Sequence, residues 1–90
     1  MEIIDTKLQG VKLLKPKRFG DNRGFFAETY NRRVYTDLGV DAEFVQDNHS
    51  LSAAVGTVRG LHFQAPHQAQ TKLVRCGRGS IFDVAVDIRR

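Results

Sequence analysis

The sequence predicts an all-β fold, a sandwich or barrel of the jelly-roll kind that carries one short helix near residues 31–38. Three features of the chain predict it. Apolar and polar residues alternate over short runs, glycine-containing turns separate those runs, and only one segment combines helical apolar spacing with plausible caps. A complete jelly roll needs more strands than can be counted in 90 residues, so the chain is expected to form a single, partial domain over 1–90.

The elements follow in order. Ile3, Ile4, Leu8, Val11, Leu13 and Leu14 alternate around Gly10 as one or two short strands, and Pro16 ends them. Phe19-Gly-Asp-Asn-Arg-Gly24 has the glycines and short polar side chains of a tight turn, and Phe25-Phe-Ala-Glu-Thr-Tyr30 leaves it as a strand. Asn31 is a suitable N-cap and Gly39 a suitable residue just past the C-terminus, with Val34, Tyr35 and Leu38 as the apolar side between them. Phe44-Val-Gln-Asp-Asn-His-Ser50 alternates again, setting Phe44, Gln46 and Asn48 on one face, where two amides suit a polar ligand. Residues 56–64 form the next expected strand, with a turn at Ala65-Pro-His-Gln-Ala69. Lys72-Leu-Val-Arg-Cys76 and residues 80–88 then pair as a hairpin across Gly77-Arg-Gly79. The last of these runs to Arg89-Arg90 without a turn or cap and is expected to present an unpaired apolar edge.

Composition narrows the function. With 41% hydrophobic residues, six Phe and two Pro, the chain is globular rather than disordered. It has no apolar stretch of membrane-spanning length and no signal-peptide pattern, so a cytoplasmic protein is expected. The single cysteine, Cys76, rules out an internal disulfide and fits a reducing compartment, with filler in a strand as its expected role. The net charge of +4 is N-terminal in origin: residues 1–33 carry eight Lys or Arg against four acids, and the remainder six against six. That surplus favours an anionic partner. Nucleic acid is disfavoured because the basic residues are interspersed and no nucleic-acid motif or stacking platform accompanies them. Lys7, Lys12, Lys15 and Lys17 read equally well as a solvated edge.

Chemistry concentrates in Gly56-Thr-Val-Arg-Gly-Leu-His-Phe-Gln64. Strict alternation turns Val58, Gly60, His62 and Gln64 one way and Arg59, Leu61 and Phe63 the other, which makes His62 the inward-facing group. Its imidazole suits proton transfer near neutral pH if a partner holds the ring, and a structural histidine is the plainer alternative. The run also approaches the metal motif of cupin jelly rolls: Gly56 precedes His62 by the motif's spacing, and Gly77 follows Gln70 likewise. Gln64 and Gln70 stand where a histidine and a glutamate would bind, and a neutral amide is a poor ligand for zinc or ferrous iron. His67 could substitute as a ligand, but no metal and no cofactor is expected.

Four ordered motifs, Gln46-Asp-Asn-His-Ser50, Arg59-Gly-Leu-His-Phe-Gln64, Lys72-Leu-Val-Arg75 and Phe82-Asp-Val-Ala-Val-Asp87, follow Asp21-Asn-Arg-Gly-Phe-Phe-Ala-Glu28. Together they resemble the dTDP-4-dehydrorhamnose 3,5-epimerase family. The resemblance implies a cupin-type homodimer without metal that acts in dTDP-rhamnose biosynthesis on a dTDP-sugar, inverting carbons 3 and 5 of dTDP-4-dehydro-6-deoxy-glucose. It makes His62 the base and puts Lys72 beside the developing oxyanion. Arg23 and Arg59 become ligands of the nucleotide-sugar, with further contacts from Glu28, Gln46 and Asn48. Guanidinium suits such a role because it can pair with two phosphate oxygens at once.

Asp83 shares a face with Ile81, Ala85 and Asp87, and is expected to support Lys72 or His62; surface solvation accounts for Asp87 and the terminal arginines. Alternation sets Arg59 and His62 on opposite faces although the family uses both, a tension that a bulge at Gly60 or a neighbouring subunit would relieve. The family's proton donor, a tyrosine, and the aspartate that orients its histidine belong to a C-terminal half with no counterpart in these residues, and Tyr30 and Tyr35 do not match the donor position. The chain is therefore expected to be the N-terminal part of such an enzyme. A mono-epimerase or ketoisomerase on a related ketosugar and a non-catalytic nucleotide-sugar-binding fragment remain alternatives.

Overall fold

The computed structural model describes residues 1–89, with His67 described through its backbone alone. The chain divides into two compact units, one made of residues 1–41 with 76–89 and the other of residues 42–75.

The first unit holds all the regular strands and the α-helix. Strand β1 (Glu2–Asp5) pairs antiparallel with β2 (Lys12–Lys15), in the register Glu2↔Lys15, Ile3↔Leu14, Ile4↔Leu13 and Asp5↔Lys12. The directly opposed Asp5 and Lys12 join their side chains at 2.9 Å, as facing opposite charges do across a sheet. Lys12 is thus a cross-strand partner on the surface, as the solvated-edge alternative had it. In the connecting turn the Thr6 hydroxyl accepts the Leu8 N–H at 3.2 Å and donates to the Val11 carbonyl at 2.8 Å. A second hairpin, β3 (Arg18–Asp21) with β4 (Gly24–Ala27), closes over Asn22 and Arg23. The first hairpin lies where alternation around Gly10 predicts strands. In the second, β4 starts near its expected place but stops at Ala27 rather than continuing to Tyr30. Strand β3 takes up residues 19–21, which read as part of a turn, so the turn itself narrows to Asn22 and Arg23.

Helix α1 (Arg32–Asp37) matches its expected caps. The Asn31 side chain accepts the Val34 N–H at 3.2 Å, satisfying one of the donors that a helix start leaves open. At the other end Gly39 takes φ +89°, which lets its N–H reach the Thr36 carbonyl at 3.0 Å and the Val40 N–H reach the Tyr35 carbonyl at 2.8 Å. This is the paired closure of a Schellman motif, and a residue with a Cβ would be strained there. Val34 and Leu38 are half-buried beside Tyr35, which at 2% exposure is the one buried hydrophobic side chain among the described residues.

Arg89 ties its segment to the β1–β2 turn. Its guanidinium donates to the Gln9 carbonyl at 2.9 Å and pairs with Asp87 at 2.7 Å. Hydrogen bonds from the Arg89 side chain and then from its backbone N–H hold the Asp87 carboxyl down to about 2. Because the folded-state value lies below the unfolded one, near 3.9, whatever this pair contributes is complete above about pH 4 and disappears as pH falls through about 2. In a carboxyl-carbon NMR titration Asp87 is expected to change state near pH 2. Arg89→Gln should raise that midpoint towards the ordinary carboxylate range, with only the residue-89 backbone N–H still holding it down. An unchanged midpoint in the variant would show that the pair does not form.

The remaining expected strands do not form. Residues 44–50, 56–64, 72–76 and 80–88 contain no regular strand, so the hairpin across Gly77-Arg-Gly79 is absent too. A strand has no internal hydrogen bonds and exists only against a neighbour, whereas both observed hairpins supply their neighbour within a few residues. Without one, Val58 and Phe63 are 88% and 80% exposed, and Leu61, Phe82 and Ile88 are exposed as well. Cys76 is likewise no strand filler: it is an exposed free thiol whose Sγ lies 3.2 Å from the Arg78 carbonyl.

Candidate functional site

His62 and Lys72 line one open concavity on either side of a turn within the second unit. Pro66–Gln68 forms a single 3₁₀ turn, in which the Ala65 carbonyl accepts the Gln68 N–H at 2.9 Å. Proline suits its first position because the N–H it lacks would have no partner within the turn. The Gln64 side chain closes a wider loop around it, its Oε1 accepting the Gln70 N–H at 3.0 Å. The chain thereby doubles back, and His62, Phe63, Gln64, Ala69, Gln70 and Lys72 line one open concavity of about 290 Å³. His62 is exposed in it rather than turned into a barrel interior, which corrects the inward orientation that alternation predicts. Gly60, at φ +118°, breaks the extended run just before it, and a side chain there would be strained while lying 3.5 Å from the His62 Nδ1.

The other expected ligand groups of this unit have partners of their own. Gln46 and Asn48 do share a side, since the Gln46 Nε2 donates to the Asn48 Oδ1 at 3.1 Å. Arg59 is outside the lining of the His62 concavity; its Nε donates to the Ser52 hydroxyl at 3.2 Å and its Nη2 to the Leu51 carbonyl at 3.4 Å. Sequence reasoning had no role for Ser52, and nothing in its local pattern marks it as this partner. Of the two glutamines at the near-motif positions, Gln64 engages its side-chain oxygen with the Gln70 backbone N–H. Among the described residues no group of three or more His, Cys, Asp or Glu could hold a metal; the His67 side chain lies outside the described residues.

Arg23, Glu28 and Asp83 belong to the first unit. Arg23 sits in the β3–β4 turn, where its N–H donates to the Asp21 Oδ1 at 2.9 Å and its Nη2 reaches Oδ2 at 2.6 Å. The hydrogen bonds from the Arg23 side chain, then from its backbone, lower the Asp21 pKa, and the same pairing raises that of Arg23. Sequence reasoning missed Asp21 as this partner, although an aspartate two residues before an arginine in a turn is a signal for it. At so exposed a position the pair holds Arg23 only weakly, and an arriving phosphate can displace the carboxylate. Glu28 follows the end of β4 and is exposed, as is Asp83.

Residues 5–90 match the model of a family described as dTDP-4-dehydrorhamnose 3,5-epimerase. The chain belongs to that epimerase family. Curated epimerases of the same description agree closely with it: that of Sinorhizobium fredii is 57% identical over 88% of this chain, and that of Escherichia coli 52% identical over 99%. Those stretches make up 40% and 48% of the two relatives, so the chain spans less than half of their length. A crystal structure of the Bacillus anthracis epimerase with TDP and PPi bound superposes with a TM-score of 0.72 at 54% identity, covering 76% of this chain and 39% of that one.

Epimerase membership gives the concavity its chemical interest. A carbon acid beside a ketone needs a group that accepts its proton and a positive charge near the oxygen that becomes negative. His62 and Lys72 are groups of those two kinds, and one turn brings them to the same hollow.

Proposed function

We propose that the chain supplies the base-bearing part of an epimerase that inverts carbons 3 and 5 of dTDP-4-dehydro-6-deoxy-glucose in dTDP-rhamnose biosynthesis. The observation that carries this reading is the shared concavity of His62 and Lys72 in a chain of the epimerase family. His62 takes the proton from the carbon beside the ketone: the C–H bond breaks, an N–H bond forms on imidazole, and the electron pair delocalises onto the carbonyl oxygen as an enolate. Lys72 stabilises that oxygen, an interaction stronger in the transition state than with the neutral ketone. An acid on the opposite face returns a proton to carbon and fixes the inverted centre. Tyr35 is no candidate, since its hydroxyl donates to the Thr29 carbonyl, and by the family resemblance the acid is a tyrosine whose position neither Tyr30 nor Tyr35 matches. The sequence of proton transfers balances without any cofactor.

In this reading Arg59, Gln46 and Asn48 of the second unit are nucleotide-sugar ligands, Arg59 exchanging Ser52 and Leu51 for diphosphate oxygens. The family resemblance makes Arg23 and Glu28 of the first unit ligands too, Arg23 by releasing Asp21. The TDP and PPi in the Bacillus anthracis structure support a ligand of that class. The same likeness supports a cupin-type jelly roll, and the reading extends to a homodimer working in the cytoplasm.

Incubation with dTDP-4-dehydro-6-deoxy-glucose in deuterium oxide tests the reaction. Deuterium is expected at both C3 and C5. Label at one carbon alone would make the protein a mono-epimerase, movement of the keto group a ketoisomerase, and tight dTDP-sugar binding without any label a non-catalytic binding module; each would overturn the reading.

A further inference from the structure

We infer that Gln64 is a positioning residue for the His62–Lys72 pair, through the hydrogen bond by which its side-chain carbonyl holds the Gln70 backbone. The inference rests on the proposed epimerase reading for its catalytic consequence. Residues 62 and 72 are separated by nine others, and nothing in a chain of that length brings its ends to one hollow by default. Two hydrogen bonds close the intervening loop. The inner one, Ala65 to Gln68, fixes only the 3₁₀ turn. The outer one, Gln64 Oε1 to Gln70 N, spans six residues and joins the position two after His62 to the position two before Lys72. Gln64 and Gln70 both line the concavity, so the bond is part of its wall.

The same bond explains why glutamine is useful where a metal-binding relative of the fold would carry histidine. The Gln70 N–H needs an acceptor atom within reach, which the side-chain carbonyl of glutamine supplies and an apolar residue lacks. Displacement of a reacting group by about 1 Å costs up to about a hundredfold in rate, so a loop that opens should slow chemistry more than it weakens binding.

The test compares Gln64→Met, which keeps the length and removes the acceptor, with Gln64→Glu, which keeps an acceptor oxygen, both in the full chain. Two measurements are made: protection of the Gln70 amide from hydrogen exchange by NMR, and solvent-deuterium incorporation into dTDP-4-dehydro-6-deoxy-glucose. Gln64→Met should lose about tenfold in Gln70 protection and about tenfold in the maximal rate of incorporation, with the KM for the dTDP-sugar changed less than twofold. Gln64→Glu should recover most of both. The inference is overturned if Gln64→Met keeps Gln70 protected, if it loses protection while incorporation stays fast, or if Gln64→Glu is as slow as Gln64→Met. A wild-type chain that protects Gln70 but incorporates no label overturns the epimerase reading and the catalytic role with it, whereas a wild-type chain that incorporates label with Gln70 unprotected overturns the inference alone.

Discussion

His62→Ala should abolish solvent-deuterium incorporation at C3 and C5, a loss of about a thousandfold or more in rate, and leave dTDP affinity nearly unchanged. The two halves of this expectation have different physical sources. Proton removal beside a ketone depends on a positioned base, and general-base catalysis is worth about a hundredfold to ten-thousandfold. Affinity for the nucleotide comes from guanidinium and amide groups, which in the proposed assignment are Arg23, Arg59, Gln46 and Asn48. Because His62 is exposed and makes no core contact, alanine there should leave the melting of the chain unaltered, so lost exchange cannot be blamed on lost folding. Exchange that persists in the variant would remove His62 from the mechanism. Lys72→Met offers a useful contrast: it should retain proton removal at a rate lower by about a hundredfold, since it takes away charge stabilisation and not the base.

Which features of the chain are legible in its sequence follows from how far apart the interacting residues lie. The β1–β2 strands, β4 and helix α1 were readable, because turn, strand partner and cap sit within a few residues of one another: Asn31 caps Val34, and Gly39 closes onto Thr36. Strand β3 was not, because the glycine and polar residues of 19–21 read as turn. The runs at 44–50, 56–64, 72–76 and 80–88 show the alternation of strands, yet alternation states which way side chains would face and not whether a neighbouring strand is there to bond. The consequence at the site is specific. His62 was expected to point inward by strict alternation over residues 56–64, and Gly60 at φ +118°, the residue at which a bulge was the offered alternative, breaks that alternation. His62 and Lys72 were legible as a pair only through the family motifs. The loop that joins them depends on a side-chain carbonyl finding a backbone N–H, and no periodicity encodes that.

Tyr35→Ala should be the most damaging single substitution for stability, costing about 3–5 kcal/mol. A chain of this size has a total stability of about 5–13 kcal/mol, so the variant should melt at much lower urea, with early loss of amide protection in α1. The reason is how many separate interactions converge on one residue. Its side chain is 2% exposed, its ring meets that of Tyr30 edge-on at 4.8 Å, and its hydroxyl donates to the Thr29 carbonyl. Tyr35→Phe separates packing from the hydroxyl and should cost only about 1 kcal/mol. That conservative variant also connects the core to the proposed function. Thr29 is the residue after Glu28, so the Tyr35 hydroxyl pins the backbone beside a proposed substrate ligand. Tyr35→Phe should therefore weaken dTDP-sugar binding measured by calorimetry, by no more than about fivefold, with the rate at saturation unchanged. A variant that melts earlier but binds as the wild type does would show that Glu28 is held by β4 alone.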